Sequence, residues 1–271
     1  GTRIIPCCGF DSVPSDLGAW MLVRHFQALG EACTGVKACF SLRGGFNGGT
    51  LASALNTFDT GQATALADPW LLNPAGARPS SGPDDLDPVA PHRDADFKAW
   101  VGPFFMGPVN TRVVRRSAAL LGYGPDFHYQ EYLRFGSGAG AALTAAGFSA
   151  GMSATQAALK FAPVRALARK LAPAPGEGPS EDSMNRGGFR CELVGHGARG
   201  TVARAKVAAN GDPGNRATTA MVCEAALALA RETRRLPNSR RGGGVLTPAS
   251  GLGDALADRL REAGMTLAVQ G

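Results

Sequence analysis

Thr2-Arg3-Ile4-Ile5-Pro6-Cys7-Cys8-Gly9-Phe10-Asp11-Ser12-Val13-Pro14-Ser15-Asp16-Leu17-Gly18 opens the chain. Residues 2–7 read as a strand, Gly9 as a turn, and Ser12 or Ser15 as the N-cap of a helix near 14–29. A strand, a glycine turn and a capped helix usually lie inside an α/β unit. Ligands of open α/β sheets bind at such carboxyl ends of strands. The stretch therefore reads as a junction between a dinucleotide-binding domain and a substrate domain, with the cofactor-holding half expected outside the chain.

Working outward, Val36, Ala38, Phe40 and Leu42 alternate with Lys37, Cys39 and Ser41, the pattern of a half-buried strand. A glycine loop at 44–50 leads to a helix near 51–60, and residues 68–95 read as a long surface loop. Val109–Leu121 reads as a helix; Phe127, Tyr129, Glu131 and Leu133 share one face of a strand. Residues 138–171 read as helical with a break at Pro163, and 173–187 as a loop. Phe189–Val194 and Thr201–Val207 form a hairpin, followed by an amphipathic helix over Thr218–Arg234. Thr247 caps a last helix with Pro248 at its first position, and Met265–Val269 is a closing strand.

The expected fold is α+β: a mixed, largely antiparallel sheet with helices on one face. Residues 17–242 would form the α+β substrate-binding and dimerisation domain, with 1–16 and 243–271 as fragments of a Rossmann-like α/β layer.

The net charge of +6 is scattered, with no basic face interleaved with aromatics, so nucleic acid is not the expected partner. The six cysteines form no Cys-x-x-Cys pair and the four histidines are dispersed, which argues against a metal. Buried thiols and the lack of a secretory signal point to a cytoplasmic setting. Phe135–Leu159 carries no charge but is built from small residues. A closely packed helix, with peripheral membrane contact as the alternative, suits it better than a span.

Three motif matches fail on context. Gly195–Gly200 fits G-x-G-x-x-G, but a strand follows it instead of a helix. Gly136–Ala141 fits the G-x-G-x-x-A variant without a second strand bearing an acidic ribose partner. Gly147–Gly151 fits G-x-S-x-G, with Asp182 and His196 downstream, yet an Ala-rich helix precedes Ser149 where a buried strand is needed.

Three clusters remain. Gly9 and Phe10 would approach a cofactor, with Asp11 or Ser12 at the reacting centre; simple capping by Asp11, Ser12, Ser15 and Asp16 is the plainer alternative. Gly45, Asn47, Gly48, Gly49 and Thr50 would cradle a carboxylate or phosphate through main-chain donors, or form only a strand-to-helix connection. Asn110 and Arg112, beside the apolar Pro103–Val109, would hold the polar head of an acyl substrate, or form only a buried helix with a solvated Arg face.

The motifs Cys7–Gly18, Gly44–Thr50, Val109–Ser117, Pro173–Ser180 and Gly244–Leu256 resemble the saccharopine dehydrogenase-like oxidoreductases, most closely the bacterial trans-acting enoyl reductases. That resemblance implies an NAD(P) cofactor, expected only with an N-terminal Rossmann domain whose glycine fingerprint this sequence lacks. It also implies reduction of an enoyl acyl thioester or a related C=N or C=O group, and it allows a homodimer. A truncated, non-catalytic module that binds a lipid or a partner is the alternative.

Overall fold

The computed structural model describes all residues except 46–47, 78–81, 83–84, 172–176, 238–242 and 271. In chain order the elements are β1 (Arg3–Ile4), α1 (Val13–Ala28), β2 (Cys33–Arg43), α2 (Gly48–Asp59), β3 (His92–Asp94), β4 (Ala99–Pro103), α3 (Gly107–Leu121) and β5 (His128–Gly136). There follow α4 (Ala139–Ala158), α5 (Ala162–Leu171), α6 (Glu181–Arg186), β6 (Gly188–Gly197), β7 (Val202–Asn210) and α7 (Thr218–Arg231). The chain closes with β8 (Gly244–Val245), α8 (Pro248–Gly251), α9 (Gly253–Glu262) and β9 (Thr266–Gln270).

Among the described residues seven strands form one sheet in the order β3-β4-β5-β2-β6-β7-β9. Only β2 and β5 run parallel; every other neighbouring pair is antiparallel. The fold is thus α+β. The period-2 pattern of β2 explains its place: Val36, Ala38 and Phe40 enter the main core, while Cys39 joins a smaller cluster on the opposite face with Val101, Tyr132 and Val194.

Helix α1 is buried all round from Val13 to Val23, packed between the sheet and α3 and α8. Gly18 permits the close approach to the sheet, since a Cβ there would stand 2.7 Å from Leu193 Cδ2. The ends of the chain meet in a separate two-stranded parallel ladder of β1 and β8. β9, by contrast, pairs with β7 at the edge of the large sheet.

Several local expectations need correction. The expected strand over 2–7 shrinks to Arg3–Ile4, because Cys7 takes a left-handed φ of 59° that no strand accommodates. The stretch 68–95 is not a simple surface loop: Trp70, Asp85 and Asp94 are buried and β3 lies within it. β4 was not foreseen, and Ser180 caps a short helix, α6, in the supposed loop 173–187. The last helix divides at Gly253, whose φ of 48° ends α8 and starts α9. The Thr247 cap holds, as a reciprocal capping box with Ser250.

Candidate functional site

The turn after Cys8 is closed by backbone bonds from Ser12 and Val13 to the Gly9 carbonyl. Asp11 Oδ1 accepts from the Gly9 amide at 2.9 Å, and the Phe10 amide donates to Thr218 Oγ1 at 3.0 Å. A Cβ on Gly9 would collide with that Thr218 oxygen. Phe10 turns inward, edge-on to Phe40 and Phe189. Its ring belongs to the hydrophobic core, so only the backbone of this residue is left to approach a ligand.

The polar residues at the start of α1 reach across to other elements. Ser12 occupies the N-cap position, but its hydroxyl makes no cap bond; it donates to Asn110 Oδ1 on α3 at 3.0 Å. Asn110 Nδ2 donates to Glu131 Oε1 on β5 at 2.8 Å. Glu131 Oε2 accepts from Ser15 at 2.7 Å and from the Tyr129 hydroxyl at 2.9 Å. Asp16 accepts from Ser117 at 2.5 Å and from the Ala249 amide at 2.8 Å, so it caps α8 from within α1. Simple capping of α1 by these side chains is therefore ruled out: their bonds join α1 to α3, β5 and α8.

Both carboxyl groups sit in a low-dielectric interior. Burial pushes Glu131 up to about 7, against the opposing pull of hydrogen bonds from Ser15, Tyr129 and Asn110. Burial likewise pushes Asp16 up to about 6, opposed by its bonds from Ser117, Ala249 and Thr247. Glu131 can therefore hold or release a proton near neutral pH. Toward the solvent side, Cys7 is half-buried and in hydrogen-bond contact with Asp11 and Ser12; burial, then the Asp11 charge, pushes its thiol up to about 12. It stays a neutral S–H and a poor nucleophile.

Of the expected site residues, the structure joins Gly9, Asp11 and Ser12 in one turn and links Ser12 to Asn110. Arg112 stands apart. It is buried, and its guanidinium is committed to Asp87 at 2.5 Å, to Thr111 and to the Leu66 and Asp68 carbonyls. These bonds pin Leu66, Asp68 and Asp87 to α3 and hold the Arg112 guanidinium inside the protein. Gly45 packs against Pro179; Gly48, Gly49 and Thr50 open α2, which places Thr50 inside the helix, not at its cap. Asn47 lies outside the described residues.

Sequence reasoning assigns no functional role to Glu131, Tyr129 or Cys7 and gives Ser15 only a capping one. A signal was present for Glu131: a carboxylate on the apolar face of a strand needs partners. The rejected motifs stand as expected. Gly195–Gly200 belongs to the β6–β7 hairpin, and Ser149 lies within α4 bonded to the Ala145 carbonyl. On the sheet's opposite face a broad depression of about 620 Å3 is lined by Arg43, Arg134, Arg190, Glu192 and Lys206. Among the described residues no group of three His, Cys, Asp or Glu is arranged to hold a metal.

No family model matches the chain, and no solved structure does. Curated proteins do. A Mycobacterium tuberculosis H37Rv protein, provisionally named a trans-acting enoyl reductase, is 39% identical over 98% of this chain and 67% of its own length. The trans-acting enoyl reductases of Mycobacterium ulcerans and Mycobacterium bovis BCG are each 36% identical over the same shares. On these matches, which cover 98% of the chain, the chain belongs to the trans-acting enoyl reductases.

Proposed function

We propose that this chain is the substrate-binding part of an NAD(P)-dependent oxidoreductase of saccharopine dehydrogenase-like type that reduces an enoyl acyl thioester. Family membership supports the reaction class. The observation that carries the residue assignment is the turn of Gly9, Asp11 and Ser12, coupled through Asn110 to the protonatable Glu131.

Saturating an enoyl C=C bond needs a hydride and a proton. The cofactor supplies the hydride. The described residues do not fit a complete dinucleotide site: Gly195–Gly200 lies in a β-hairpin, and β6, the strand that follows Gly136–Ala141 and α4, runs antiparallel to β2, which itself is parallel to β5, so no parallel strand–helix–strand unit forms there. The curated relatives are about half again as long as the stretch they share with this chain. NAD(P) would accordingly be held by polypeptide beyond these residues.

This chain's residues bear on the proton. Asp11 and the Ser12 hydroxyl stand at the turn, in contact with the neutral Cys7 thiol. Asn110 fixes the direction of the Ser12 O–H. Glu131 anchors Asn110 from behind, and Tyr129 and Ser15 hold its carboxyl in place.

Titrating the chain with NADPH and with a crotonyl thioester tests the division of labour. Thioester binding without nicotinamide binding is the expected result. Saturable micromolar quenching or enhancement of NADPH fluorescence would overturn it. A chimera carrying these residues in place of the matching two thirds of a mycobacterial relative should oxidise NADPH with crotonyl thioester. In that chimera Asp11→Ala should lower kcat by about 100-fold, the low end for loss of a general acid–base group at the reacting centre.

A further inference from the structure

We propose that α5 and the turn before it form a docking face for an anionic bilayer surface. Phe161, Val164, Leu167 and Leu171 are 66%, 37%, 57% and 77% exposed, and their spacing places them on one stripe of the helix. Helix α4, just before it, is little better covered: only Ala145 and Ser149 are buried, and Leu143 is 79% exposed. So dense a run of exposed large apolar side chains marks an interaction surface.

Charge selects the occupant. From residue 136 to 171 the chain has no Asp or Glu, and it carries Lys160, Arg165, Arg169 and Lys170. Arg165 and Arg169 both pair with Asp59 at the end of α2, which fixes α5 by its polar flank and leaves the apolar stripe outward. Lys160 and Lys170 lie outside that pairing, where their stems can lie along the stripe and their heads reach lipid phosphates. A second copy of the chain would bring like charges together across such a face, so self-association is disfavoured. α5 has ten residues, about 15 Å at the helical rise, and so lies in the interface plane. No helix among the described residues is long and apolar enough to cross a membrane.

Co-sedimentation of the full chain with phosphatidylcholine vesicles carrying about one third phosphatidylglycerol is the test. The chain should pellet with them, and binding should weaken about tenfold or more on pure phosphatidylcholine or in ~0.5 M salt. Leu167→Glu with Leu171→Glu should abolish pelleting with the far-ultraviolet circular dichroism unchanged. Lys160→Gln and Lys170→Gln should each weaken binding about fivefold. The proposal falls if the chain stays in the supernatant with anionic vesicles, or if the double glutamate variant binds like wild type. It falls also if sedimentation equilibrium shows a dimer that the double variant dissociates, because a second copy then covers the stripe.

Discussion

The Ser12 hydroxyl donates to the Asn110 side-chain carbonyl at 3.0 Å, across 98 positions of sequence. This bond ties the N-terminus of α1 to α3 and, through the Asn110 amide, to β5. A carboxyl of Glu131 that accepts from Asn110 Nδ2 leaves only Oδ1 for Ser12, so the amide has one workable orientation. Asn110→Ala strands the Ser12 hydroxyl and Glu131 Oε1 in a dry interior. The expected loss is about 2 kcal/mol of unfolding free energy, read as a lower urea midpoint with an unchanged m-value. An unshifted midpoint would show that water fills the gap at no cost.

Much of this could be seen in the sequence, and the reasons why the rest could not are physical. Alternation in β2 and the capping pattern at Thr247 are local signals, and both elements formed as expected. Ser12 and Asn110 were each marked as site residues, but their pairing is a tertiary event that no spacing encodes. The surroundings of Phe10 and Arg112 are hidden from the sequence for the same reason. An aromatic beside a glycine turn, or an Arg beside an apolar wall, serves core or ligand according to what packs against it. Here Phe40 and Phe189 take the first, and Asp87 with two backbone carbonyls takes the second. β4 was missed because its Ala99-Trp100-Val101-Gly102-Pro103 is short and broken by glycine and proline.

Glu131 sets the sign of the pH dependence. Its carboxyl is raised from an ordinary 4.5 to about 7 in the folded chain. Between those values the folded state keeps a proton that the unfolded state has lost, so stability falls as pH rises through this window. Asp16, raised to about 6, acts in the same direction over a narrower range. The Glu131 contribution between pH 4.5 and 7 amounts to roughly 3 kcal/mol. Glu131→Gln keeps the shape without the ionisation. Thermal melts of the variant should change less between pH 5 and 8 than those of wild type, with the variant relatively more stable at pH 8. Parallel curves for the two proteins would remove Glu131 as the group responsible.

Arg112 separates a structural from a ligand-binding cation. Arg112→Leu breaks a buried ion pair and frees the Leu66 and Asp68 carbonyls. Asp87 is 22% exposed and can rehydrate in part, so the loss should sit near the low end for buried pairs, about 3 kcal/mol. Limited proteolysis should then open the segment between Leu66 and Asp87 before the sheet. In the chimera, KM for the enoyl thioester should change far less than stability. A selective rise in KM with normal melting would return Arg112 to the substrate site.

The thiol at Cys7 reports directly on Asp11. Burial and then the Asp11 charge keep it protonated, with Cys8 held the same way, whereas Cys223 is exposed on α7. Iodoacetamide reacts with thiolates, so at pH 8 Cys223 should be modified first and Cys7 and Cys8 slowly. Asp11→Asn removes the negative charge next to Cys7 while keeping an oxygen to accept from the Gly9 amide. Peptide mass mapping should then show Cys7 alkylation accelerating severalfold while Cys223 is unaffected. If Cys7 and Cys8 accelerated together with the protein as a whole, the variant would be opening the turn. If neither changed, burial alone would govern the thiol, and Asp11 would have no electrostatic hold on the group beside which it is proposed to act.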